Sequence, residues 1–229
     1  MLTQISQVLR SMKKLRNLSI TLQECTDAFH NVAVPNANQQ PDIHSVWIDS
    51  LHVAVTRRTA LGVAKPVYDV LSYLSPSSFV LSLENLVASL AGDFLLDSGG
   101  KLFPYGSSIT IIASDIMVRL FSWNHFPLLS KLAGGCNVVH TIHVEAPMAS
   151  IIASRRRDSL KAHPSLRNIR LKHCDELTET DVEVLATYFR DAEDSTGLDS
   201  LEIISCRAIS ERVLLETEDK LGDRFTWRL

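Results

Sequence analysis

The sequence is short of everything that would announce a reaction. Only four of its 229 residues are cysteine, Cys25, Cys136, Cys174 and Cys206, and they lie far apart. No CxxC pair and no Cys/His ligand spacing occurs, which excludes zinc ribbons and redox dithiols. Scattered cysteines in a chain of this size read as reduced thiols of a cytoplasmic or nuclear protein. Charge of one sign is also lacking: 23 Lys and Arg against 26 Asp and Glu leave a net charge of −3. That balance calls for no nucleic acid and no acidic partner. There is no long apolar run. FVLSLENLVASLAGDFLL is broken by Glu84 and Asp93, well short of the roughly 18 clean residues a membrane span needs. No GxSxG and no strand-borne GxGxxG is present, and GGKL at 99–102 lacks the rest of a phosphate loop. No catalytic residue, metal ligand or cofactor is assigned, and the chain reads as a non-enzyme.

The features that come nearest to chemistry have plainer readings. His140 and His143 stand three apart in HTIH. On a strand such residues face opposite sides, so they cannot share a metal ion. Arg155 to Arg157 form a basic run without interleaved aromatics, read as a solvated helix end rather than a nucleic-acid contact. The carboxylates at 175–183 and 216–223 fall on helix faces and read as solvated. Residues 1–23 carry Arg10, Lys13, Lys14 and Arg16 with no acid, and their apolar residues keep helical spacing. A mitochondrial presequence has this look, but a packing helix with a wet polar face is the reading adopted.

What is present is a repeat. Apolar residues separated by two and then one position occur at Leu15/Leu18/Ile20, Ile43/Val46/Ile48, Val139/Ile142/Val144, Leu166/Ile169/Leu171 and Leu198/Leu201/Ile203. Weaker copies have Ser78 before Leu81 and Leu83, and Gly106 before Ile109 and Ile111. The spacing averages about 30 residues, close to that of leucine-rich repeats. Between the copies the apolar period lengthens toward 3.6, as in TETDVEVLATYFR (Val182, Leu185, Phe189), AISERVLLETEDKLG (Ile209, Val213, Leu214, Leu221) and PMASIIASRRRDSL (Ile151, Ile152). Thr178 followed by Asp181 resembles a capping box with Asp in place of Glu. One strand and one helix cannot bury their own apolar faces, so such units must stack. The expected architecture is α/β, a leucine-rich-repeat solenoid of about seven irregular units. Its curved parallel sheet lies inside and its helices outside, and residues 1–229 form a single domain. An open doubly wound sheet is the alternative.

Cys174 and Cys206 stand eight residues after Leu166 and Leu198, giving LxxLxLxxC twice in one register. In leucine-rich repeats this place holds Asn or Cys, so both are read as structural. At this point LKHCDELTETDVEVL and LDSLEIISCRAISERVLLETEDKLGDRFTWRL resemble the C-terminal repeats of fungal F-box/leucine-rich-repeat proteins. The resemblance is good over about residues 136–229 and generic before them. It implies repeats that select a substrate for ubiquitination and a terminal strand of the FTWRL kind. It also implies an F-box that docks the Skp1 adaptor of a cullin ligase. No F-box-like segment is found here, so a Skp1 partner requires one outside this chain.

The outward strand positions would then form the binding wall. They include Trp47, Asp49, His143, Glu145, Arg170, Lys172 and Glu202, with Trp47 and Arg170 as anchors, since these residue types are enriched in hot spots. The expected partner is a protein; no nucleic acid and no membrane is involved. A free-standing repeat scaffold unconnected with ubiquitin is the second reading, and a small α/β enzyme with an unrecognised site the third.

Overall fold

Apolar alternation with a period of two builds eight strands, and the stretches of longer period between them build helices. The computed structural model describes residues 8–9, 12, 14–26, 43–86, 91–114, 128–147, 165–191 and 199–229. In chain order these hold β1 (Asn17–Gln23), β2 (Val46–Thr56), α1 (Leu61–Leu71), β3 (Leu74–Glu84) and β4 (Ser108–Ser114). There follow α2 (Leu128–Gly135), β5 (Thr141–Glu145), β6 (Asn168–Lys172), α3 (Glu179–Asp191), β7 (Ser200–Ile204), α4 (Glu211–Leu221) and β8 (Phe225–Arg228). All of the amphipathic stretch PMASIIASRRRDSL after Pro147, with Arg155 to Arg157, lies outside the described residues.

All eight strands belong to one sheet, in the order β1 to β8, and every neighbouring pair is parallel. The sheet is open, with β1 and β8 as its edges. One face carries two apolar ladders. The first runs Leu18, Leu51, Phe79, Ile109, Ile142, Ile169, Leu201, Phe225. The second runs Ile20, Val53, Leu81, Ile111, Val144, Leu171, Ile203, Trp227. Val67 and Tyr68 of α1, Leu129 and Leu132 of α2, Leu185 and Phe189 of α3, and Leu214 of α4 join these ladders in one core. Burying each such side chain contributes about 1.5–3 kcal/mol, so the helices close one face of the sheet.

The first ladder sets successive strands 33, 28, 30, 33, 27, 32 and 24 residues apart. Five of the seven expected copies fall on it. The copies starting at Ile43 and Ser78 do not, and they are corrected here. Leu18 pairs with Leu51 and Leu51 with Phe79, so the units begin at Ile48 and Pro76. Ile43 and Val46, expected inside, are 60% and 41% exposed. The cause is a local break in alternation. Asp49 and Ser50 follow one another off the core, and both donate their N–H groups to the Arg16 carbonyl, at 2.7 and 3.1 Å. Beyond them Leu51, Val53 and Val55 carry the core face.

The strands end alike. Glu24, Arg57, Asn85, His173 and Ser205 all have φ between 43° and 52° and stand just past β1, β2, β3, β6 and β7. The N–H of each donates to a carbonyl at the end of the next strand, as from His173 to Ile204 (2.9 Å) and from Arg57 to Glu84 (3.1 Å). The turn thus extends the ladder while it steers the chain off the sheet. At α3 the expected capping box forms: Thr178 N and Oγ1 donate to Asp181 Oδ2 at 3.0 and 2.8 Å, and Asp181 N donates to Thr178 Oγ1 at 3.2 Å. Gly106, which stands in an apolar slot of the template, has φ 154°. A Cβ there would lie 2.8 Å from the Pro76 carbonyl oxygen, so only glycine fits.

Candidate functional site

The second face of the sheet lies opposite the helices and carries three rows of side chains. The first is almost entirely small and polar: Asn17, Ser50, Ser78, Ser108, Thr141, Asn168, Ser200. Its members bond along the row. Ser50 Oγ donates to Asn17 Oδ1 (2.7 Å), Asn168 Nδ2 to Thr141 Oγ1 (3.3 Å), and Ser200 Oγ to Asn168 Oδ1 (2.8 Å). Side chains of this size keep the face low and leave the next rows accessible.

Those rows carry the charge, on β5 to β7. His143, Arg170 and Glu202 are side by side in one row, and Glu145 and Lys172 in the next. Arg170 Nε donates to Glu202 Oε2 at 3.0 Å, and Lys172 Nζ to Glu145 Oε2 at 3.1 Å. Opposite signs are therefore neighbours across the strands, while along β6 the two cations Arg170 and Lys172 stand two residues apart. All four groups keep between 26% and 46% of their side-chain surface exposed, so they remain available to a partner. Burial, then the Arg170 guanidinium, pushes His143 below its ordinary value, with Lys172 in the same sense and Glu145 and Glu202 opposing. The imidazole is thus neutral at pH 7. Its Nε2 is buried and has no hydrogen-bond partner among the described residues.

Five of the expected wall residues, His143, Glu145, Arg170, Lys172 and Glu202, are brought together. Trp47 and Asp49 are not. Trp47 pairs with Ser75, five residues before His52, the member of its strand that shares the row of Arg170. With about 3.3 Å per residue and 4.8 Å per strand, Trp47 and Arg170 stand about 25 Å apart. Trp47 is 69% exposed at the start of β2, and Asp49 sits in the kink beside Arg16. The open-face places assigned to Trp47 and Asp49 belong to His52 and Ala54. The alternation of SLHVAVT carried that signal.

The thiols lie at the strand ends. Cys174 Sγ donates to Val144 O (3.5 Å) and Lys172 O (3.4 Å), and Cys206 Sγ to Leu171 O (3.7 Å) and Ile204 O (3.4 Å). Each therefore satisfies a carbonyl of its own strand and one of the preceding strand. In the second unit Thr59 does this work, through Oγ1 to Thr56 O (2.7 Å) and Leu22 O (3.1 Å). His140, three residues before His143, is solvent-exposed, and its carbonyl accepts from Arg167 and Asn168. Among the described residues no three His, Cys, Asp or Glu side chains stand where they could hold a metal ion, and no helix is long and apolar enough to cross a membrane. Comparison with protein-family models, curated proteins and solved structures gave no match.

Proposed function

We propose that this chain is a leucine-rich-repeat solenoid serving as a non-enzymatic protein-binding module, of the kind that selects substrates for an F-box ubiquitin ligase. Docking to the adaptor would require an F-box from outside these residues. One observation carries the reading: a wholly parallel sheet whose second face the described helices leave open. All-parallel sheets ordinarily have helices on both faces. A repeat array that keeps one face free has a surface to offer a partner. Strand spacings of 24 to 33 residues support the repeat type.

The binding patch is His143, Glu145, Arg170, Lys172 and Glu202, with Arg170 as its anchor. Arg170 and Glu202 already satisfy each other at 3.0 Å. A partner carrying both a carboxylate and a cation can exchange these internal bonds for external ones, which keeps the desolvation cost low. Replacing Arg170 by Ala removes an exposed ion pair, costing under about 1 kcal/mol of stability. As a hot-spot residue the same Arg contributes about 2 kcal/mol to binding. The test is affinity capture with quantitative mass spectrometry, comparing wild type, Arg170→Ala/Lys172→Ala, and Arg212→Ala on the helical side. The reading expects partners that the double variant loses and Arg212→Ala keeps. Identical partner sets for all three would exclude this face.

A further inference from the structure

The two edges of the sheet are built differently. β8 is four residues long and ends on Arg228, with Arg224 just before it. A short, charged edge discourages further pairing. β1 has seven residues, NLSITLQ, with no charge, proline or glycine, and pairs with β2 in unbroken register. Among the described residues one side of its main chain is unpaired. Arg16 O and Glu24 N bond toward β2. By strand alternation the N–H and C=O groups of Asn17, Ser19, Thr21 and Gln23 therefore point to the open edge. The core is open at the same place. Leu18 and Ile20 are only half-buried, whereas their ladder partners from β2 to β7 are almost wholly buried. Val8 and Met12, which lead into β1, are exposed large apolar side chains.

We infer that β1 is a dimerisation edge, covered by the β1 of a second copy of this chain running antiparallel about Ile20. The sequence is self-complementary about that residue. A twofold axis there sets Ser19 against Thr21 and Asn17 against Gln23. These are the residues whose main-chain groups face the edge, so each pair exchanges N–H···O bonds. Gln23 O already accepts the Cys25 thiol at 3.4 Å and has a second lone pair for this. The axis sets Ile20 against Ile20 and Leu18 against Leu22 on the core side, so the two open core ends cover each other. It also brings Arg16 beside Glu24, once at each end of the pair, where these two residues flank the strand. Glu24 lies 3.7 Å from Arg57 of its own chain and is well exposed, so its second oxygen is open to Arg16 of the other copy. No other symmetric register of these strands joins Arg16 to Glu24. Because the surface is small for a stable interface, which needs roughly 1,200 Å², Val8 and Met12 must add to it, and the expected Kd is micromolar. The inference is independent of the binding face proposed above, which lies on β5 to β7.

Sedimentation equilibrium from low concentration to about 100 μM, where a complex of micromolar Kd is dimeric, tests it. Wild type is expected to form dimers and nothing larger. Arg16→Glu and Glu24→Arg should each weaken association about tenfold, with unchanged thermal melting at low concentration. An equimolar mixture of the two variants should recover dimers, because each opposed pair is then attractive. A monomer throughout, open-ended polymers, or a dimer indifferent to both variants and to their mixing would overturn the assignment.

Discussion

Cys174 and Cys206 occupy the same place on consecutive strands. Each follows a residue with φ 50°, and each thiol donates 3.4 Å to the carbonyl two residues before it. The neighbouring Cys206 thiol, and then burial, holds the Cys174 thiol well above its ordinary value while the same neighbour relation lowers Cys206, and burial raises Cys136. Cys25 is half-exposed at the open edge. Since a reagent must reach the sulfur, and Cys136, Cys174 and Cys206 are all buried, a chromogenic disulfide reagent should titrate Cys25 in the native protein and the other three only in denaturant. Rapid native reaction of Cys174 would contradict the packing described.

Ser205 is held at φ 50°, where a side chain costs about 1–2 kcal/mol that glycine does not incur. Glycine loses part of that advantage through its freer unfolded chain, about 0.5–1 kcal/mol. Ser205→Gly should therefore gain about 0.5 kcal/mol in urea denaturation, and Ser205→Val should lose at least about 1 kcal/mol. Equal losses for both would mean that the turn conformation is not as described.

Tyr68 stacks on Phe103, with ring centroids 3.9 Å apart and planes 4° from parallel, and its buried hydroxyl has no hydrogen-bond partner among the described residues. An unsatisfied buried hydroxyl costs about 1–3 kcal/mol. Tyr68→Phe keeps the stack and removes that cost. It should leave stability unchanged or raise it by about 1 kcal/mol. A clear loss in calorimetry would reveal a bond to this oxygen.

His143 and His44 both take up a proton at lower pH when folded than when unfolded, in each case first because of burial. The unfolded chain binds these protons near pH 6.5, so around that pH it holds more of them than the native state. Stability is then complete above about pH 6.5, falls as the pH drops below it, and levels off once the folded imidazoles also protonate. Urea midpoints at pH 7.5, 6.5 and 5.5 should show this fall. The fall should shrink in His143→Gln and shrink further when His44→Gln is added. A midpoint that rises on acidification would reverse the sign and refute the argument.

The apolar spacing made the strands at Leu18, Ile109, Ile142, Ile169 and Leu201 legible, because there one match to the template exists and the core uses it. In β2 two matches overlap, at Ile43/Val46/Ile48 and at Ile48/Leu51/Val53. The choice between them rests on the Arg16 carbonyl, a tertiary contact that no local pattern contains. For the same reason the charged patch on β5 to β7 was readable and the place of Trp47 was not. The helix α1 escaped notice because Gly62 and Pro66 interrupt it, yet Val63, Val67, Tyr68 and Leu71 are buried on one side. The left-handed turns were hard to see because Glu24, Arg57 and Ser205 give no sign of them, and Asn85 and His173, though more tolerant of this conformation, mark it less strongly than glycine would.

Since every described strand pairs only with the strand before it and the strand after it, no residue acts as a keystone for the whole sheet. Damage at one rung stays local, and in the monomer, at concentrations too low for β1 to be covered, fraying should start where a rung lacks a neighbour and its hydrocarbon is half wet, at Leu18 and Ile20. Deuterium uptake should then spread inward from the amino-terminal border like a zip opening from one end, and reach the stretch around Ile111 and Val144 last.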